Sequence, residues 1–234
     1  MSFFEGVFVD SYSSLNITVV ITLFLIFLLS LSLLPAFRKI LKERKINRTI
    51  QHLGSQHLKQ VILPDSMGGS VFLDYMVLGK DSIILVILKK FRGTIFCAEN
   101  IDQWTQLIGN RSYKFPNTLQ QLDSDIMSVN SLVKDINVSG LVVFSSECEF
   151  PKGKPEQVKS ISEIKKTVTD IQLHSEKLLN AWYKLKELSQ SHLSTQSFAD
   201  NYFKEQDSKI NFTLPILLSV TIVAWLVWRI NFAS

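Results

Sequence analysis

Cysteine is nearly absent from this 234-residue chain, which has two in all, Cys97 and Cys148. Neither sits in a CxxC or Cys/His spacing, so nothing points to zinc, and two isolated thiols suit a reducing compartment. His52 and His57 are five apart on a polar stretch and share no helix face, which excludes them as a metal pair. Also missing are a GxxxxGK[ST] phosphate loop, a GxSxG elbow and an HExxH helix. Their absence argues against a nucleotide-hydrolysing motor, a common serine hydrolase and a zinc protease. No internal repeat is present.

Charge is absent from two long stretches, LNITVVITLFLIFLLSLSLL (15–34) and FTLPILLSVTIVAWLVW (212–228). Each is close to the roughly 20 residues a helix needs to cross the hydrocarbon core of a bilayer. No base precedes the first run, which instead follows Glu5 and Asp10, so a cleaved signal peptide is disfavoured and an anchor is expected. Arg38, Lys39, Lys42, Arg44, Lys45 and Arg48 follow directly, which places this side in the cytoplasm by the positive-inside tendency. Trp225, Trp228 and Arg229 end the second run as an interfacial belt. The expectation is a two-pass protein of the inner or plasma membrane with both termini outside and the central domain cytoplasmic. The net charge of +4 owes much to the basic cluster, which reads first as a topology signal touching anionic lipid.

The expected order is an external N-terminus (1–14), a transmembrane helix (15–35), a basic juxtamembrane helix (36–60), an α/β core (61–150), a loop with a long amphipathic helix (151–190), a connector (191–211) and a second transmembrane helix (212–230). Within the core, VFLDYMVL (71–78) and SIILVILKK (82–90) read as paired strands and TIFCA (94–98) as a third. Asn117–Lys134 has helical spacing, and SGLVVFSS (139–146) is apolar enough for a strand buried on both faces. The SISE sequence at 160–163 fits a capping box opening the amphipathic helix, whose apolar stripe either packs on the domain or recruits a protein partner.

The succession LPDSMGGSVFLDYMVLGKDSIILVILKKFRGTI, then Trp104, NTLQQ and GLVVF, resembles the nuclease-related domain, NERD, over about residues 43–147. That family is similar to the restriction-endonuclease-like nucleases with D…(D/E)xK sites. The resemblance implies a restriction-endonuclease-like mixed sheet flanked by helices, here set between N- and C-terminal transmembrane helices. It places Asp74 on the family's strand Asp, Lys89 on the Lys of Glu-x-Lys, Gly93 on the turn glycine, Trp104 on the Trp, and Asn117 and Gln121 on the ends of Asn-Pro-x-x-Gln, with Thr118 in place of Pro. Glu43 matches an early helix acid, although Lys42 stands where that motif has glycine. Position 87, where the family has Glu, is Ile.

The implied chemistry is phosphodiester hydrolysis with Mg²⁺ as cofactor, Asp74 as metal ligand, Lys89 and Gln121 as further catalytic residues and Glu43 as a supporting acid. Ile87 supplies no ligand. Asp74 and Lys89 then either pair with each other or act with an acid brought from elsewhere, with Glu43, Glu99 and Asp81 as candidates. Three functions follow: a membrane-anchored domain that associates with DNA or RNA and has weak or lost nuclease activity, a non-catalytic membrane scaffold, and a Mg²⁺-dependent nuclease with a relocated acid.

Overall fold

A computed structural model describes residues 3–65, 68–164 and 174–191, with short helical pieces between 216 and 225. The chain forms two compact units, one of residues 1–43 and 209–234, the other of residues 44–208. Helix α1 (Phe3–Gln51) supplies the first unit's described helix and, from Arg44, the opening turns of the second. Within its segment Thr22–Gln51 an 18-residue stretch has mean hydropathy 1.9, which makes this helix long and apolar enough to cross a membrane. The second apolar run lies largely outside the described residues.

In the second unit the chain continues through β1 (Gln56–Pro64), β2 (Ser70–Leu78), β3 (Ile83–Lys89), β4 (Gly93–Phe96), β5 (Gln103–Ile108) and β6 (Arg111–Pro116). It then runs through α2 (Thr118–Leu132), β7 (Val138–Phe144), β8 (Cys148–Glu149), β9 (Val158–Ser160) and α3 (Glu176–Ser191). Five strands form a sheet in the order β1-β2-β3-β7-β9, antiparallel over β1-β2-β3 and parallel over β3-β7-β9. The other four form a second mixed sheet, β6-β5-β4-β8. The parallel centre explains the sequence of β3 and β7: both are covered on two faces and read as nearly unbroken aliphatic runs.

One face of the five-stranded sheet packs Tyr75, Val77, Val86 and Leu88 against Ile46 and Ile50 of α1. The Tyr75 hydroxyl adds a hydrogen bond to Asn47. The opposite face packs Met76, Leu78, Leu85, Ile87 and Val142 against Leu122 and Val129 of α2 and Trp182 and Leu185 of α3. Helix α2 comes close to the sheet because residue 140 is glycine: a Cβ there would lie 2.5 Å from Leu122 Cδ1. Helix α3 is fixed to the edge strand by Trp182, whose Nε1–H donates to Gln56 Oε1 at 3.0 Å.

Two sequence expectations change. The basic helix expected over 36–60 stops at Gln51, and residues 56–60 are strand, because Gly54 brings the chain against Leu78 and Ser55 N–H donates to Leu78 O at 2.9 Å. The residues 56–59 then alternate in burial as an edge strand does. The helix expected from Ser160 also shifts. Glu163 does accept the Ser160 N–H at 3.2 Å, as in a capping box, but this closes a turn at the end of β9, and the described helix starts at Glu176. Strands β1, β5, β6, β8 and β9 join those read from sequence.

Adding a methyl group at Gly140 tests how α2 is seated. Gly140→Ala is expected to lower the stability of the full-length chain in detergent by about 1–3 kcal/mol, the usual range for overpacking a tight core. Denaturant melts would reveal it, and an unchanged midpoint would mean that α2 does not rest on this strand.

Candidate functional site

Period-two alternation puts Asp74, Met76 and Leu78 of β2 on one face, and Ile83, Leu85, Ile87 and Lys89 of β3 on the same face. Their apolar members belong to the core shared with α2. Asp74, midway along β2, and Lys89, the last residue of β3, therefore lie on the α2 side of the sheet. Strand pairing is irregular on both sides of Asp74. The β2–β3 register runs from Leu78↔Ile83 to Tyr75↔Val86. Beyond it, Asp74 Oδ2 accepts the Leu88 N–H at 2.8 Å, so a side chain takes a donor that would otherwise serve the ladder. On the other side the β1–β2 register passes from Lys59↔Tyr75 to Val61↔Leu73, skipping Gln60, which has φ 54°. A non-glycine residue in the left-handed region is uncommon and clusters at functional sites.

Lys89 is held where β3 ends. Ser145, buried just after β7, donates its N–H to Lys89 O at 3.1 Å and its hydroxyl to Phe91 O. Gly93 then turns the chain into β4 with φ 83°, and a Cβ there would lie 2.3 Å from Leu107 O, so only glycine fits this turn.

Helix α2 faces this corner. Asn117 caps it by accepting the Leu119 N–H at 2.9 Å, and its amide donates to the carbonyls of Glu99 (3.0 Å) and Ile101 (2.8 Å). Trp104, fully buried, donates its indole N–H to Ala98 O at 2.9 Å and anchors the same loop. The cap sets the helix phase, and Thr118, Leu119, Leu122, Asp125 and Val129 point inward. Four of these suit a core. Asp125 does not: it is 9% exposed, and its Oδ2 has no hydrogen-bond donor. Gln121, one turn earlier, is half-buried and shares its side of the helix.

The electrostatics bring three groups together. Burial pushes the Asp125 carboxyl up to about 7, the negative charge of Asp74 adds to this, and Lys89 opposes it. Burial also raises Asp74, against the Leu88 N–H and the charges of Lys89, Lys90 and Lys59. Lys89 is lowered by burial and held up by Asp74 and then Asp125. Two carboxylates and an ammonium thus share one low-dielectric corner of the sheet.

A scan of protein families matches residues 38–145 to the nuclease-related domain. Over that range, a little under half its length, the chain is similar to the NERD family. Its mixed sheet with flanking helices is consistent with a restriction-endonuclease-like fold. Neither the curated proteins nor the solved structures gave a match.

The residues that the resemblance singles out divide into two kinds by what they touch. Asn117, Trp104 and Gly93 shape the backbone, whereas Asp74 and Lys89 lie on the α2-facing side of the sheet and Gln121 one turn before Asp125 on α2. Asp74 and Lys89 do not form an ion pair within 4.0 Å, since the short contact of Asp74 is to backbone. Position 87 is closed to a ligand role: Ile87 is 3% exposed, in the core and opposite Val142. Of the acids considered as replacements, Glu43 lies in the first unit, Asp81 is exposed at the far end of β3, and Glu99 is exposed in the loop after β4. Asp125 was the acid missed. Its signal is an Asp three residues after Leu122 on the apolar stripe of a helix, where burial follows from the period alone.

Among the described residues, no three His, Cys, Asp or Glu side chains gather as a metal group. Two carboxylates with an amide nearby still suit Mg²⁺, which often takes one or two carboxylates and completes its shell with water and substrate phosphate. The unpartnered Oδ2 of Asp125 fits such a hard cation. Cys97, whose thiol burial pushes up to about 11, offers no reactive thiolate.

The raised Asp125 pKa gives a signed expectation. Between about pH 4 and 7 the folded chain holds a proton that the unfolded chain, at the ordinary value of 3.8, has released. Stability contributed by this group is therefore full below pH 4 and is lost as pH rises towards 7. Asp125→Asn is expected to flatten that decline and to raise stability above pH 7 by on the order of 1–3 kcal/mol, the cost of an unsatisfied buried group. Denaturant melts at metal-free pH 5 and pH 8 provide the check, and an equal pH dependence in both proteins would refute the assignment.

Proposed function

We propose that this protein is a membrane-anchored NERD-domain protein that associates with DNA or RNA and has weak or lost nuclease activity. The observation that carries this reading is the NERD match over residues 38–145; the sequence resemblance, which sets Asp74 and Lys89 on that family's strand Asp and Lys, supports it. Lys59, Lys89 and Lys90 all act on Asp74 by charge, so the corner has cations suited to a phosphate backbone. Ile87, packed in the core, removes the acid on which hydrolysis in this family relies. Mg²⁺ is the cofactor that the oxygen donors suit, with Asp74 as a ligand and Gln121 as a neighbouring polar group.

The anchor is the apolar part of α1, supported by its length and hydropathy. The sequence of 212–230 supports a second crossing, and the basic residues after the first run support a cytoplasmic domain at the inner or plasma membrane. A scaffold acting through residues 160–190 has less support. Leu178, Ala181, Trp182 and Leu185 of α3 are buried, and among the described residues of that helix Tyr183 is the large apolar side chain left exposed.

Full-length protein in nanodiscs is expected to bind fluorescent DNA or RNA oligonucleotides in EDTA, with affinity falling steeply as salt rises because phosphate contacts release counterions. Lys89→Gln should weaken binding several-fold, about 1 kcal/mol for one lost phosphate contact. Cleavage with Mg²⁺ or Mn²⁺ should be slight. No binding at low salt would end the nucleic-acid reading. Robust cleavage, lost in both Asp74→Ala and Lys89→Ala, would replace weak activity with a working nuclease.

A further inference from the structure

Asp125 lies outside the motifs that carry the NERD resemblance, yet it occupies a costly position. A carboxylate at a nine-tenths buried site is normally hydrogen-bonded, and an unpartnered one calls for an explanation. Here the Oδ2 atom lacks a donor although Lys89 is near enough to act on it by charge. The packing leaves Asp125 little choice of direction: Leu122 is seated over Gly140, Asn117 fixes the helix start, and residue 125 lies one turn further along the same inward face. The charges that act on it there are those of Asp74, midway along β2 at the break in strand pairing, and of Lys89 at the end of β3.

We propose that Asp125 and Asp74 together hold a divalent metal ion of the Mg²⁺ class, Asp125 standing in from α2 for the acid that β3 lacks at Ile87. The ion's remaining positions take water and the phosphate oxygens of a nucleic acid. The donors are all hard oxygens, with no Cys or His among them, which selects Mg²⁺ or Mn²⁺ over zinc. Two carboxylates also balance the dication's charge. Lys89 remains beside them as a separate cation for the phosphate. The cation site deepens the nucleic-acid reading and rests on it only for the identity of the phosphate ligand.

Mn²⁺ serves as the probe, with the free-ion EPR signal measured on EDTA-stripped full-length protein in detergent. The wild type is expected to take up a single Mn²⁺ and to melt at higher temperature when it is present. Asp125→Asn and Asp74→Asn should each weaken uptake by at least the roughly 10–100-fold typical of losing an outer-shell partner. Asp123→Asn, an exposed acid on the same helix, should leave uptake unchanged, and the melts report whether each variant folds. No uptake by the wild type, or equal uptake by Asp125→Asn, overturns the proposal. Oligonucleotide binding in EDTA separates the two readings: binding without Mn²⁺ uptake sinks the cation site alone, and Mn²⁺ uptake without binding sinks the nucleic-acid reading alone.

Discussion

The seating of α2 on β7 governs the rest of this site. Gly140 has no side chain where Leu122 must lie, so the helix comes down onto the parallel centre of the sheet, and Asn117 fixes its phase by capping it. With depth and phase set, Asp125 must face inward, and burial there raises the carboxyl's pKa. A helix held a little higher would leave Asp125 in water and Asp74 with only lysines around it. The electrostatics of the corner thus follow from a contact between a glycine and a leucine.

Much of the central sheet was legible because β2, β3 and β7 are aliphatic runs and α2 has a clear helical period. The strand Asp and the Lys could be read from their motif. The edges were not legible. The first half of strand β1 is polar and exposed or half-exposed, and the basic helix before it offered a pattern that could be prolonged through it. Strand β6 (RSYKFP) is exposed along most of its length, so it carries no alternation to read. Asp125 escaped notice because a motif search looks for acids in strands, at fixed spacing from Lys89. The helix period of α2 would have flagged it, since 122, 125 and 129 share one stripe.

Location and chemistry are coupled by the chain itself. The apolar segment of α1 and the basic residues that follow it lead into Ile46 and Ile50, which cover the face of the sheet opposite α2. The apolar segment is therefore followed closely in sequence by residues the fold needs for its core. Trimming the chain at the end of the apolar run preserves the domain only if residues 44–51 are kept.

The exchange of acids explains three oddities that would otherwise be unrelated. Residue 87 is apolar although its neighbour Lys89 keeps the motif; the Oδ2 of Asp125 is buried without a donor; and Asp74 sits at a gap in the β1 pairing and just past the end of the β3 pairing. A Glu at 87 would add a third carboxylate to a corner where Asp74 already raises Asp125, and like charges in low dielectric oppose one another's ionisation. Ile87 instead completes the packing against Val142, while Asp125 keeps the number of acids at two. An unpartnered buried charge lowers stability, and natural chains retain such groups mainly where a site needs them. If packing were the only demand at position 125, an apolar residue would serve the helix stripe better, and its being Asp is the strongest sign that the corner binds something.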